Sequence, residues 1–163
     1  MLILLIAMLA IFWFAHLWLN KQIISAVQAR QHEMLPKQIA QAQRMFKRQW
    51  YRAHPVWRWI RRLAIGINGV ALVALIGQML SRASWVVLPV AQRPLAILTV
   101  AGFIIAGLGL AVVMWHYDQM LLATAQTDLY TPPRLLVRAN WWLLVVCQCV
   151  LVGTAGVTMQ TPS

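Results

Sequence analysis

Two thiols, Cys147 and Cys149, and four histidines are the side chains from which metal or proton chemistry would have to be built. Thiolates bind copper and zinc, so a pair of cysteines this close invites a metal or redox reading. On a helix, residues two apart differ by about 200°, which turns the thiols to opposite sides and keeps them from sharing one ion. A disulfide across that spacing is disfavoured by the same geometry. The pair reads as two small buried hydrophobes. His16 lies inside an apolar run, where an ionisable residue is a functional candidate by default. It is one turn before Asn20, however, close enough to reach headgroup water as an interfacial anchor. His116 and Asp118 flank Tyr117 at a spacing that makes no helical pair, and no serine nucleophile accompanies them. Three acids in the chain, Glu33, Asp118 and Asp128, are a poor supply for general acid/base work or hard-cation binding. The sequence therefore assigns no catalytic residue, no cofactor and no metal site, and the chain reads as a non-enzyme.

The elements that would position these residues follow from composition. Of 163 residues 61% are hydrophobic and 10% charged, against about 25% charged in soluble domains. Fourteen Lys and Arg against three acids give +11, so apolar and basic residues must occupy different segments of a membrane protein. A bilayer core of about 30 Å needs roughly 20 apolar residues of helix. Four runs without Lys, Arg, Asp or Glu meet this, at 1–19, 63–80, 95–115 and 141–158. None alternates with the period of a strand, and helices satisfy their backbone polar groups internally in lipid. The first run precedes its first positive charge, Lys21, and so reads as a retained helix and not as a cleaved leader. The expected fold is all-α and polytopic, with four transmembrane helices and one basic amphipathic interfacial helix.

Charge orients the spans. Segment 20–62 holds ten basic residues and one acid, and Lys and Arg stay on the cytoplasmic side of short loops. Alternation then places the short 81–94 loop outside with Arg82 and Arg93, and the 116–140 loop inside with Arg134 and Arg138. Twelve basic residues fall inside and two outside, so both termini, including the 159–163 tail, are expected outside a bacterial inner membrane. Trp18, Trp57, Trp59, Trp85, Trp115, Trp141 and Trp142 fall at or just beyond span ends, where indoles favour the headgroup layer.

Within the arm, Pro36 opens a segment in which Ile39, Ala42, Phe46, Trp50 and Ala53 recur at helical spacing. Lys37, Arg44, Lys47, Arg48 and Arg52 occupy much of its remaining surface, and Arg58, Arg61 and Arg62 adjoin the second span. These eight cations are the candidate docking residues for anionic inner-leaflet lipid or a partner protein, with the apolar stripe inserted in the leaflet. The same residues suit a nucleic-acid backbone, but nothing in the sequence specifies that partner. Outside, Trp85, Val86, Val87 and Leu88 form an apolar loop too short to span, followed by Pro94 as the opening residue of the third helix. Inside, Pro132 and Pro133 stop any continuation of that helix.

The spans carry features of helix contact. Asn68, Gln78 and Gln148 are expected to hydrogen-bond between helices. Gly66 and Gly69, Gly102 with Ala106, Gly107 with Ala111, and Cys149 with Gly153 would let helices approach closely. Association with other membrane subunits or with itself follows as the expected partnership. The leading expectation is an accessory subunit of an inner-membrane assembly, of secretion, conjugation or respiratory type. A self-contained immunity, exclusion or small-solute transport protein is the alternative.

Overall fold

The computed structural model describes residues 2–29, 35–83, 92–124 and 133–160, and of 159 and 160 the backbone alone. Among them there are five helices and no strand: α1 (Leu2–Gln28), α2 (Pro36–Ala53), α3 (Pro55–Arg82), α4 (Gln92–Thr124) and α5 (Arg134–Gln160). All but α2 are long and apolar enough to cross a membrane, which makes this an all-α polytopic membrane fold. The helices run on past the uncharged runs of the sequence. At 33 residues α4 is about 50 Å long, well beyond a bilayer core. The residues just after Trp115 are polar, Met120, Leu121 and Leu122 follow, and none is a helix breaker, so His116, Tyr117 and Asp118 continue the helix and do not begin a loop. At its other end α4 starts at Gln92, leaving Pro94 third in the helix instead of first, still within the turn whose N–H groups have no helical partner.

Proline also shapes α2 and α3. Leu35 is extended (φ −73°, ψ 144°), Pro36 follows at the helix start, and the Gln38 side-chain oxygen accepts from the Leu35 N–H at 3.1 Å. His54, at φ −122° and ψ 76°, breaks the backbone between α2 and Pro55, because the residue before proline is pushed out of helical geometry. The Trp50 carbonyl caps this corner, accepting from both the backbone N–H and the ring Nδ1–H of His54 at 3.0 Å each.

Helix α4 packs on α3 along one side and on α5 along another; α1 lies against α5, and α2 touches α1 and α3. Phe103 of α4 is fully buried in a core shared with Leu75 and Ala71 of α3, Leu151 and Ala155 of α5, and Leu5 of α1. Glycines set the spacing. A Cβ on Gly102 would stand 3.2 Å from Ala71 Cβ, one on Gly109 3.3 Å from Ala64 Cβ, and one on Gly107 3.2 Å from Gln148 Cβ. Without those methyl groups three neighbours approach α4 at van der Waals contact, the packing that holds helices together where lipid is as apolar as leucine. Gln78 and Thr99, 3% and 2% exposed, form the expected cross-helix hydrogen bond at 3.0 Å, and Thr99 Oγ1 donates on to the Leu95 carbonyl.

Candidate functional site

The sequence reading places eight cations on or beside α2, and the structure divides them. Lys37, Arg44, Arg48, Arg52 and Arg62 are exposed, and so is much of Lys47, although its ammonium reaches the Tyr117 ring. Lys47 and Arg61 belong to a corner where α2, α3 and the overrunning end of α4 meet, and Arg58 follows one turn after His54, which stacks on Trp50 there. Trp85, Val86, Val87 and Leu88 lie outside the described residues.

The corner is built from aromatic rings. Trp50 of α2 packs edge-on against Tyr51 at 4.8 Å and Tyr117 at 5.3 Å and stacks on His54 at 5.1 Å. Trp57 of α3 stacks on His116 of α4 at 4.7 Å, and Tyr51 and Tyr117 lie parallel at 6.4 Å. Phe46 completes the α2 contribution at 6.3 Å from Tyr117. The helical period explains the grouping: Phe46, Trp50 and His54 are four apart on one face of α2, which therefore meets protein with the side expected to meet lipid. Ile39 and Trp50 of that stripe are 0% and 6% exposed. For Phe46 and Trp50 the protein surface includes Tyr117, which is within reach because α4 continues past its apolar run, whereas Ala53 of the same stripe is exposed.

Cations sit on these rings. Lys47 Nζ is 5.6 Å from the Tyr117 centroid and Arg61 Cζ 5.0 Å from that of Tyr51, within range of the attraction between a cation and a ring face. The Lys47 ammonium is held below its ordinary value, first by loss of water around its tip and then by the Arg61 charge, with Asp118 opposing. The Tyr51 hydroxyl is pushed up, chiefly by burial. Asp118 is the one carboxylate side chain among the described residues. Two donors in the corner are buried without a hydrogen-bond partner, Trp50 Nε1 and Arg58 Nε.

Other residues singled out by chemistry are placed elsewhere. His16 is more than an anchor at the interface: its Nε2 accepts from Asn20 at 3.0 Å and its Nδ1–H donates to Asn140 Oδ1 of α5 at 2.8 Å, joining the first helix to the last. That assignment makes it the neutral Nδ1–H tautomer, the form consistent with both amide contacts. Cys147 is half-buried against the core and Cys149 exposed, so the helix turns the two thiols apart, and Cys149 is not the buried residue expected from the sequence, because its side of α5 has no covering neighbour among the described residues. Among the described residues no group of three His, Cys, Asp or Glu is arranged to hold a metal. The corner residues Tyr51, His54, Trp57 and Tyr117 were not singled out by sequence reasoning as a group. The available signals were His54-Pro55, a corner, and the missing helix stop after Trp115.

Chemically the corner offers hydrogen-bond donors and positive charge beside closely packed ring faces. Comparison with known proteins finds no family model, no curated protein and no solved structure that matches the chain.

Proposed function

We propose that this integral membrane protein is a non-enzymatic accessory or interaction subunit of a larger membrane assembly, of the secretion, conjugation or respiratory type. In this reading it sits in a bacterial inner membrane with both termini outside and the α2 arm on the cytoplasmic face. One observation carries it: the small residues fall into two sets. Gly102, Gly107 and Gly109 of α4 are each filled by a neighbour of the same chain, whereas Gly66 and Gly69 of α3 and Gly153 and Gly156 of α5 have nothing within 4 Å. Outward glycines on membrane helices leave a groove that a further helix can approach closely. Lipid gains little from such a groove, so its natural complement is another protein helix.

Cys149, exposed on α5 one turn before Gly153, provides a native probe. Cross-linking through Cys149 in membranes, followed by purification and mass spectrometry, is expected to trap a stoichiometric partner subunit. Gly153→Leu is expected to abolish that product while leaving the elution profile of the protein unchanged. A chain that purifies alone and cross-links to nothing would overturn the subunit reading in favour of a self-contained membrane protein. Orientation is tested separately in a cysteine-free background, where Ala83→Cys is expected to react with an impermeant maleimide from outside and Gln41→Cys only after the membrane is opened. The reverse pattern would invert the topology.

A further inference from the structure

The corner of α2, α3 and α4 is short of acceptors and of negative charge. Trp50 is 6% exposed, yet its indole Nε1–H meets no acceptor, and the Nε–H of Arg58 is buried with none either. Buried donors are paired in most folded proteins, and one left open, above all on a charged group, marks a missing partner. Arg58 stands one turn before Arg61, whose guanidinium covers Tyr51, while the Lys47 ammonium covers the parallel ring of Tyr117. Asp118 is the single carboxylate side chain among the described residues to set against these three cations. The Lys47 pKa is lowered first by loss of water and then by the Arg61 charge, with Asp118 opposing.

We propose that this corner binds one phosphate group, that of an anionic phospholipid, with Arg58 and Arg61 as guanidinium donors, Lys47 as a third cation and the Trp50 indole N–H as a neutral donor. A phosphodiester supplies several acceptor oxygens and one negative charge, and guanidinium matches its geometry with paired N–H groups. The place favours lipid as the source. The arginines adjoin the apolar run of α3, where Val56 and Leu63 expose 66% and 60% of their surface and Trp59 is exposed beside Arg62, a bed for acyl chains and a headgroup-level indole. A nucleic acid fits less well, because bases need open ring faces and here Trp50 and Tyr51 pack on Tyr117 while Trp57 is stacked on His116. The proposal needs the chain to span a membrane but is independent of whether it has a protein partner.

The test is native mass spectrometry of the full chain in a neutral detergent with phosphatidylglycerol or phosphatidylcholine added. One phosphatidylglycerol is expected to be retained about tenfold more tightly than phosphatidylcholine, the scale of one or two charge-assisted hydrogen bonds. Arg58→Gln with Arg61→Gln is expected to remove that preference, while Arg44→Gln with Arg48→Gln, an equal loss of charge from exposed positions, keeps it. Trp50→Phe retains a ring and lacks the donor, and is expected to weaken retention by about threefold to tenfold. If the double arginine variant elutes abnormally, Trp50→Phe and Arg58→Lys, which keeps the charge without Nε–H, carry the test with the same expected direction. Equal loss from both arginine pairs would overturn the site in favour of diffuse surface charge. Displacement of the lipid by excess inorganic phosphate would overturn the lipid as source, and displacement by a single-stranded oligonucleotide would overturn it in favour of nucleic acid.

Discussion

The middle of the helix bundle and its α2 end solve the problem of polar groups in opposite ways. In the middle, the buried atoms without a partner are acceptors, Asn68 Oδ1 and Gln148 Oε1, and helices are brought together by glycine. At the α2 end the unfilled atoms are donors, Trp50 Nε1 and Arg58 Nε, and helices are brought together by rings and cations. An unfilled amide oxygen between helices suits a donor from another helix, whereas unfilled N–H groups beside excess cations suit an anion. The two regions therefore differ in the kind of group left unfilled, even though the same helix, α4, runs through both.

Perturbing the two regions separately should break or sharpen that contrast. The largest effect is expected from Gly102→Leu or Gly109→Leu, which drives side-chain atoms into Ala71 or Ala64 and costs about 1–3 kcal/mol each by overpacking. Thermal unfolding in detergent would register this as a clear fall in Tm, while Gly66→Leu, facing open space, leaves Tm unchanged; equal falls would mean that the two glycine sets are not distinct. Next, Gln78→Leu removes the hydrogen bond to Thr99 and is expected to cost about 0.6–1.7 kcal/mol, the range for polar contacts between membrane helices. Asn68→Leu, by contrast, replaces an oxygen that bonds to nothing in the chain and is expected to hold or raise Tm in the isolated protein. A loss there would show that Asn68 is paired within the protein in solution.

The smallest expected effect concerns protons at the α2 end. Because the folded protein holds the Lys47 pKa below its ordinary 10.5, the unfolded chain binds a proton there more readily. The contribution of Lys47 to stability is thus greatest above pH 10.5 and is lost as pH falls from there to the lowered folded value, below which it stays constant. Lys47→Met should remove this part of the pH dependence and leave Tm at neutral pH equal or slightly higher. Bound anionic lipid should do the same for the native protein, since a phosphate would favour the charged ammonium.

The sequence was informative where a single segment carries its own reasons. Uncharged runs marked the four crossing helices, and Pro36 with the four-residue spacing of Phe46 and Trp50 marked α2. The ends were less legible because they are settled by contacts. Nothing local says that α4 will reach Thr124, or that its His116 and Tyr117 will arrive at the depth where α2 presents Trp50. The glycines show the same divide: Gly66 and Gly102 look alike in sequence, and only the packing of α3 on α4 turns one outward and the other in. Asn140 drew no attention as a partner because the residue it bonds, His16, lies 124 positions earlier.

That separation has a consequence for how the protein is made. Helix α1 is synthesised well before its main neighbour, α5. At a synthesis rate of about 5–20 residues per second, the 124 residues between His16 and Asn140 correspond to a wait of roughly 6–25 s. Until α5 is made, the Nδ1–H of His16 lacks the Asn140 acceptor of the finished structure, and the contact of α1 with α2 can form before its contact with α5.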